Sequence, residues 1–473
     1  MKLSIADVAN WTGGHLLKGE AAGTVTAIST DSRKTQSGEA FLALRGENFD
    51  GHQFATVAAR AGAGLVILEE NHPTVASAMN EFPAVIVVRD TLVAYGEIAK
   101  GYRKQFSLRV LALTGSVGKT STRGFIASVL RQKFRVLESE KNFNNLIGVP
   151  QTLLNLKDEH ERAVLELGAD RPGEIPRLTE MCRPRIGVLT GVFPCHLERF
   201  GSLDVIVEEK GMLLSGLQGD GTTGLIGSDS YGLDRLKSLC RGCTLTYGAA
   251  EGDFHASDIV LRNDGTTDFS AVSKERKVAV HLRVLGEHQI KNAVAAFAVG
   301  CLENFPDEII KQGLESYNGA WGRLERIDLP SGATLLKDVY NANPNSTRAA
   351  LNLLGSLPAR KRIAVLGDMM ELGDDSESFH REMGAMVAQS ELDMLLTVGE
   401  RSQAIAEQAK ADGFRGTVQQ CSSNGAVSDL LKTEIRKGDV VLLKASRAMK
   451  FEEISEHLEK TPQGESCKEG SNA

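Results

Sequence analysis

The chain has 473 residues, room for about three domains at ~150 residues each. An apolar content of 42% excludes a mainly disordered chain, and a net charge of −7 argues against a nonspecific nucleic-acid binder. No apolar run reaches the ~18–20 residues of a membrane span. The N-terminus lacks a basic region followed by a long apolar stretch, and the seven cysteines are scattered and odd in number. These features predict a reduced, cytoplasmic protein. Cys240 and Cys243 form one CxxC, but no second ligand pair stands at zinc-site spacing.

In chain order, short β-rich apolar runs alternate with amphipathic stretches, the pattern of βα units on parallel sheet. The runs are GLVIL (64–68), AVIVV (84–88), VLAL (110–113), AVLEL (163–167), IGVL (186–189), IAVL (363–366), MLLTV (394–398) and VVLL (440–443). Between about 254 and 285 the texture changes to polar–apolar alternation around Asn263-Asp264-Gly265, which reads as an antiparallel hairpin. One boundary falls near residue 90, before the helical stretch TLVAYGEIAKGYRKQF; a second falls near Trp321-Gly322-Arg323. The predicted fold class is α/β with three domains over 1–90, 91–322 and 323–460, followed by a disordered tail, TPQGESCKEGSNA, over 461–473.

Residues 110–130, VLALTGSVGKTSTRGFIASVL, read as a buried strand, a Gly-rich loop and a helix. The loop comprises Thr114, Gly115, Ser116, Val117, Gly118, Lys119, Thr120 and Ser121. Glycines let backbone N–H groups turn toward an anion, and the helix N-terminus adds positive potential. Lys119 suits the outer phosphates of a bound nucleotide, and the Thr120 hydroxyl suits Mg²⁺. The first glycine stands three residues before Gly118 rather than five, so this is not the common GxxxxGK[ST] loop. Glu166 closes the run AVLEL; a carboxylate at the carboxyl end of a parallel strand faces the ligand crevice of an open α/β sheet.

The short TGSxGKT loop resembles that of the Mur ligases and folylpolyglutamate synthases, a family that makes amide bonds with ATP. The resemblance extends along nearly the whole chain: TDSR (30–33), LRGENFDGHQF (44–54), NFNNLIGVP (142–150), LELGA (165–169), HLERFGS (196–202), GEHQIKNAVAA (286–296), GRLERI (322–327), DVYNANPNS (338–346), LGDMMELG (366–373) and KASRAM (444–449). It is strongest to the members that join D-alanyl-D-alanine to UDP-N-acetylmuramoyl-tripeptide in peptidoglycan synthesis. It implies a UDP-binding N-terminal αβ domain, a central P-loop ATPase domain with a mostly parallel sheet, and a Rossmann-like C-terminal domain that closes over the site. The reaction would pass through an acyl phosphate, with no nucleic-acid partner, in a monomeric enzyme.

The resemblance also implies roles for single residues. Glu166 and His196 would contact Mg²⁺ with Thr120. Lys210, in a helix that Ser202 should cap, would be carbamylated by CO₂ and so become an oxygen ligand. The family's usual residue two after this lysine is Glu, where Met212 stands here. Asn292 and His288 would lie at the adenine, although Gln289 replaces an Asn. Arg323 would reach the terminal phosphate and Asp338 the ribose. Asn341 and Asn343 would order a turn or touch ligand, and Asp368 and Glu371 would cap helices or meet the amine. Lys444, Ser446 and Arg447 would face the dipeptide carboxylate, with Ala445 where the family has Gly. Thr30, Asp31, Ser32, Arg33, Gly46, Asp50 and His52 would serve the UDP moiety, and Asn144 and Asn145 the muramoyl side. Two other readings remain: a ligase with another acceptor, including a folylpolyglutamate-type enzyme, and a P-loop ATPase without ligase activity.

Overall fold

The structure, a computed structural model, describes residues 2–46, 49–140, 142–195 and 197–460. The chain forms two compact units, Met1–Phe193 with Ser202–Tyr247, and Pro194–Gly201 with Gly248–Ala473.

The first unit holds two main sheets. One has five strands in the order His15–Lys18, Ala84–Val88, Leu65–Glu69, Ala40–Leu42 and Ile28–Ser29, parallel except for the first. The other has six parallel strands in the order Cys243–Tyr247, Thr223–Gly227, Ile186–Leu189, Arg109–Thr114, Arg162–Glu166 and Val136–Glu138. Strand order reverses on either side of Arg109–Thr114. Ligands of open α/β sheets bind at the carboxyl end of such a switch point, and the Gly-rich loop starts there. The strand buries every residue after Arg109, as a central parallel strand covered on both faces requires.

The second unit holds a three-stranded antiparallel sheet, in the order His255–Leu261, Thr267–Val272 and Lys277–Leu282. The predicted hairpin is thus extended by a third strand. Its turn is where the sequence places it: Gly265 has φ +83° and donates its N–H to the Arg262 carbonyl at 2.9 Å. A six-stranded sheet follows, in the order Glu325–Asp328, Thr334–Asp338, Val440–Lys444, Arg362–Gly367, Met394–Val398 and Thr417–Cys421. Only the first of these strands runs antiparallel to its neighbour. Side chains alternate between two cores, Leu336, Ala364, Leu366 and Leu442 on one face and Leu335, Ile363, Val365 and Val441 on the other. Period-2 alternation into two cores is the mark of a sheet with helices on both faces.

Candidate active site

The Gly-rich loop leaves the strand at Gly115, whose φ is +152° and whose missing Cβ would lie 2.0 Å from Thr190 Oγ1. No other residue fits there. Gly118, at φ +78°, is the N-cap of the helix Lys119–Leu130. The loop is braced from the next strand's end: Ser116 N–H donates to the Gly191 carbonyl (2.8 Å), Ser116 Oγ to the Phe193 carbonyl (2.8 Å), and Thr190 Oγ1 to the Val117 carbonyl (2.6 Å). Lys119 folds back over the loop, its Nζ donating to the Gly115 carbonyl at 2.7 Å. Thr120 and Ser121 are buried in the first helical turn.

Glu166 ends its strand with 2% exposure. Its Oε1 accepts from Asn144 Nδ2 (3.0 Å) and its Oε2 from Arg123 (3.2 Å), which also bonds Glu138 at 2.9 Å. Arg123, from the P-loop helix, escaped the sequence reading; only the fold brings it to a carboxylate 43 positions away. Asn145 is spent on the backbone, where its side chain accepts from the Ile147 and Gly148 N–H groups.

Ser202 caps the helix Leu203–Ser215 through the Val205 N–H, as predicted. Lys210 lies on the inward face of this helix with 1% exposure. Its neighbour Glu209 was also missed. The Glu209 carboxylate accepts from the Gly173 and Ile175 N–H groups, both at 2.7 Å, at the start of the helix Glu174–Cys182. That helix has no capping side chain of its own, so Glu209 satisfies amides that a helix start leaves orphaned. The expectation for His196 lies outside the described residues.

In the second unit, His288 opens the helix His288–Leu302 and retains a water-exposed surface. Partial desolvation lowers its imidazole below the ordinary histidine value, with Asp338 opposing and Lys444 adding to the shift. Asn292, one turn on, is buried and donates to Gln289 Oε1 at 2.9 Å. The extra methylene of Gln289 therefore places its amide on Asn292. Arg323 stacks on the Tyr340 ring at 4.2 Å.

Lys444 departs from the expected role. It is 1% exposed, and its Nζ bonds Asp338 Oδ2 (2.6 Å) and the Asn341 carbonyl (3.1 Å). A lysine so enclosed holds Asp338 and the 341 turn together and offers no open face to a carboxylate. Burial pushes its ammonium below the ordinary lysine value, against Asp338. Asn343 forms a capping box with Ser346 at the helix Pro344–Ser356, a structural use. Ser446 Oγ accepts the Met370 N–H (2.9 Å), and Asp368 accepts the Ser402 N–H (2.8 Å). His380, unforeseen, is fully buried; its Nε2 accepts the Met369 N–H (3.0 Å) and its Nδ1 donates to the Ser376 carbonyl (2.6 Å). Glu371 has φ +66°. Arg447 pairs with Glu452 (2.8 Å) and lies over Trp321. Ala445 is not among the residues with positive φ, so a glycine is not required there.

In the first sheet, Thr30, Asp31 and Ser32 are half-buried in the loop after Ile28–Ser29. Arg33 clasps Asp31 through two 2.8 Å bonds and holds its carboxyl at about 2. Gly46 is exposed, and Asp50 caps the short turn Gly51–Phe54. His52 is buried, with Nδ1 at 2.6 Å from Asp50 and Nε2 accepting the Glu69 N–H at 3.0 Å. His72 stacks on His52 and approaches Asp50 at 3.3 Å. Asp50, His52 and His72 are close enough to share a cation, but both His52 nitrogens are already used, and a metal would cost one of those bonds.

Comparison with known proteins decides the family. The model of the Mur ligase family catalytic domain matches residues 24–103, that of the Mur ligase middle domain 113–300, and that of the Mur ligase glutamate ligase domain 322–447. A UDP-N-acetylmuramoyl-tripeptide--D-alanyl-D-alanine ligase from Bacillus subtilis (strain 168) is 35% identical over 98% of this chain and 99% of its own length. The chain belongs to the Mur ligase family.

The ligase of the same name from Escherichia coli (strain K12) is 36% identical over 94% of this chain and 96% of its own length. Among solved structures, MurF from Acinetobacter baumannii matches with a TM-score of 0.88 at 30% identity, covering 97% of this chain and 99% of that one. A MurF ligase from Thermotoga maritima in complex with ADP matches with a TM-score of 0.81 at 28% identity, covering 92% and 97%. The three-part α/β architecture of the Mur ligases is therefore that of this chain.

Proposed function

We propose that this protein is an ATP-dependent ligase that joins D-alanyl-D-alanine to UDP-N-acetylmuramoyl-tripeptide in the cytoplasm, during peptidoglycan precursor synthesis. The observation that carries this reading is the end-to-end likeness to ligases of that name, at 35% identity over 98% of the chain, in a chain that keeps an intact P-loop.

The acceptor carboxylate attacks the γ-phosphorus of ATP, giving an acyl phosphate and ADP. The dipeptide amine then attacks the carbonyl carbon, loses a proton and expels phosphate as the amide forms. Phosphoryl transfer asks the protein for positioning and charge neutralisation. The backbone turn at Gly115–Gly118 cradles the phosphates, and Lys119 leaves its carbonyl partner for the outer phosphate. Arg323 supplies a second cation to the terminal phosphate. Asn292 and His288 serve the adenine and Asp338 the ribose. The half-buried loops at Thr30–Arg33 and Gly46–His52 serve the UDP moiety, in a domain ending near residue 90, with a second boundary near 322.

Thr120, Glu166, His196 and Lys210 form the set for Mg²⁺. The described members fit a hard cation: the Glu166 carboxylate receives one hydrogen bond on each oxygen and keeps lone pairs for an ion. Lys210 is buried on the inward face of its helix, and carbamylation by CO₂ would turn its amine into an oxygen ligand. When bound, the ion neutralises charge on the transferring phosphoryl group. Incubation with ATP, Mg²⁺, the UDP-tripeptide and D-alanyl-D-alanine should add to the acceptor the mass of the dipeptide less water. An unchanged acceptor mass with either the diaminopimelate or the lysine tripeptide would exclude this acceptor.

A further inference from the structure

A cleft of about 1020 Å³ opens in the first unit, at the amino ends of the parallel strands. Arg109 and Arg185, which adjoin the starts of two central strands, line it. The Gly-rich loop leaves the opposite end of the strand Arg109–Thr114, about 17 Å away at 3.3 Å per residue. The cleft is therefore separate from the nucleotide loop.

Its lining is cationic in a chain whose net charge is −7. Among the described lining residues the one carboxylate is Glu180, and Lys100 pairs with it. Lys104, Arg183, Arg185 and Arg241 are exposed, and no hydrogen bond or ion pair joins their side chains to a described residue. The wall behind them is built rather than loose. Arg103 is buried and donates to the carbonyls of Phe106 (2.9 Å), Leu108 (3.1 Å) and Cys182 (3.3 Å). Arg183 follows the helix Glu174–Cys182 with φ +48°, a left-handed C-cap that ordinarily favours glycine. A bulky cation is thus held at a strained position on the cleft rim, the kind of local conflict that marks functional surfaces.

Three unpaired guanidinium groups and an ammonium around one hollow suit an anion with several phosphate oxygens, since guanidinium forks match phosphate bidentately. We propose that this cleft is a second anion site that binds a phosphate-rich ligand, either a soluble polyphosphate group or the headgroups of an acidic bilayer.

The full chain would be titrated calorimetrically with inorganic triphosphate at physiological salt. It would also be sedimented with phosphatidylglycerol and with phosphatidylcholine vesicles. The comparison proteins are R183Q/R185Q/R241Q, the single variant R241E, and K119A, which blocks the nucleotide loop. All three arginines are exposed, so melting temperature and ligase activity should be unchanged. The proposal expects triphosphate or phosphatidylglycerol binding that survives in K119A and weakens about tenfold or more in the triple variant. Triphosphate binding identifies a soluble source; binding to phosphatidylglycerol but not phosphatidylcholine identifies a bilayer. If wild type and both arginine variants behave alike toward both probes, including no binding at all, the proposal is overturned.

Discussion

Lys444 and Asp338 stand 106 positions apart in sequence and meet at 2.6 Å in the interior. Removing one member of a buried pair strands the other charge, at about 3–5 kcal/mol. K444M and D338N should each destabilise the second unit by about that much, and the double variant by no more than one of them. Denaturant unfolding of the four proteins tests this; additive losses would show the two residues to be independent. His52 and His380 offer a second test at this scale. Each ring donates through Nδ1 and accepts a backbone N–H at Nε2, a pattern only neutral imidazole provides. Burial holds both below their ordinary value. The folded chain therefore binds fewer protons than the unfolded chain below about pH 6.5, so stability is full above that pH and is lost as pH falls. The melting temperature should drop between about pH 7.5 and 5.5, and less steeply in H380Q; a flat profile would refute the assignment. Spacing gives no access to such contacts. Thr114–Ser121 was legible because its chemistry is local, whereas Arg123, Glu209 and His380 act on partners that only the fold delivers.

The helix carrying Lys210 is fastened to its neighbour by Glu209. Each charge-assisted bond is worth about 1.5–3 kcal/mol, so loss of both costs about 3–6 kcal/mol, and the loop from Glu166 to Gly173 would lose its anchor. E209A should therefore lower stability by that amount and slow turnover at fixed Mg²⁺. Residues 209 and 212 lie three apart, on one helix face, and the sequence resemblance implies a Glu at the position of Met212. M212E placed in the E209A background should restore most of both losses, as followed by thermal melts and ADP formation. Failure of M212E to restore either would mean that only the geometry of residue 209 serves. Strands were legible from their apolar runs to within a residue: Ala84–Val88, Ile186–Leu189 and Met394–Val398 fall where the sequence puts them. Thr223–Gly227 and Cys243–Tyr247 were not, because glycines and threonines dilute the apolar signal that marks a buried strand.

At the scale of the whole molecule, the sequence predicted α/β architecture in three parts, and the family's domain models match three successive stretches of the chain. Long apolar strands and a strand–loop–helix phosphate motif carry that much, because each is a local pattern with one structural outcome. What the pattern could not carry is the use of each polar side chain. Lys444, read as a ligand contact, ties Asp338 to the 341 turn; Asn145, read as a ligand contact, accepts the Ile147 and Gly148 N–H groups, and Asn343, read as a turn or ligand residue, caps the helix Pro344–Ser356. The tie at Lys444 follows from its burial, which motif spacing does not report. The most direct test of the account is phosphate release from Mg²⁺-ATP with the UDP-tripeptide and D-alanyl-D-alanine supplied singly and together. The account predicts sustained release only when both are present, in step with amide formation. Release indifferent to the dipeptide, or none with both substrates despite measurable ATP binding, would contradict it.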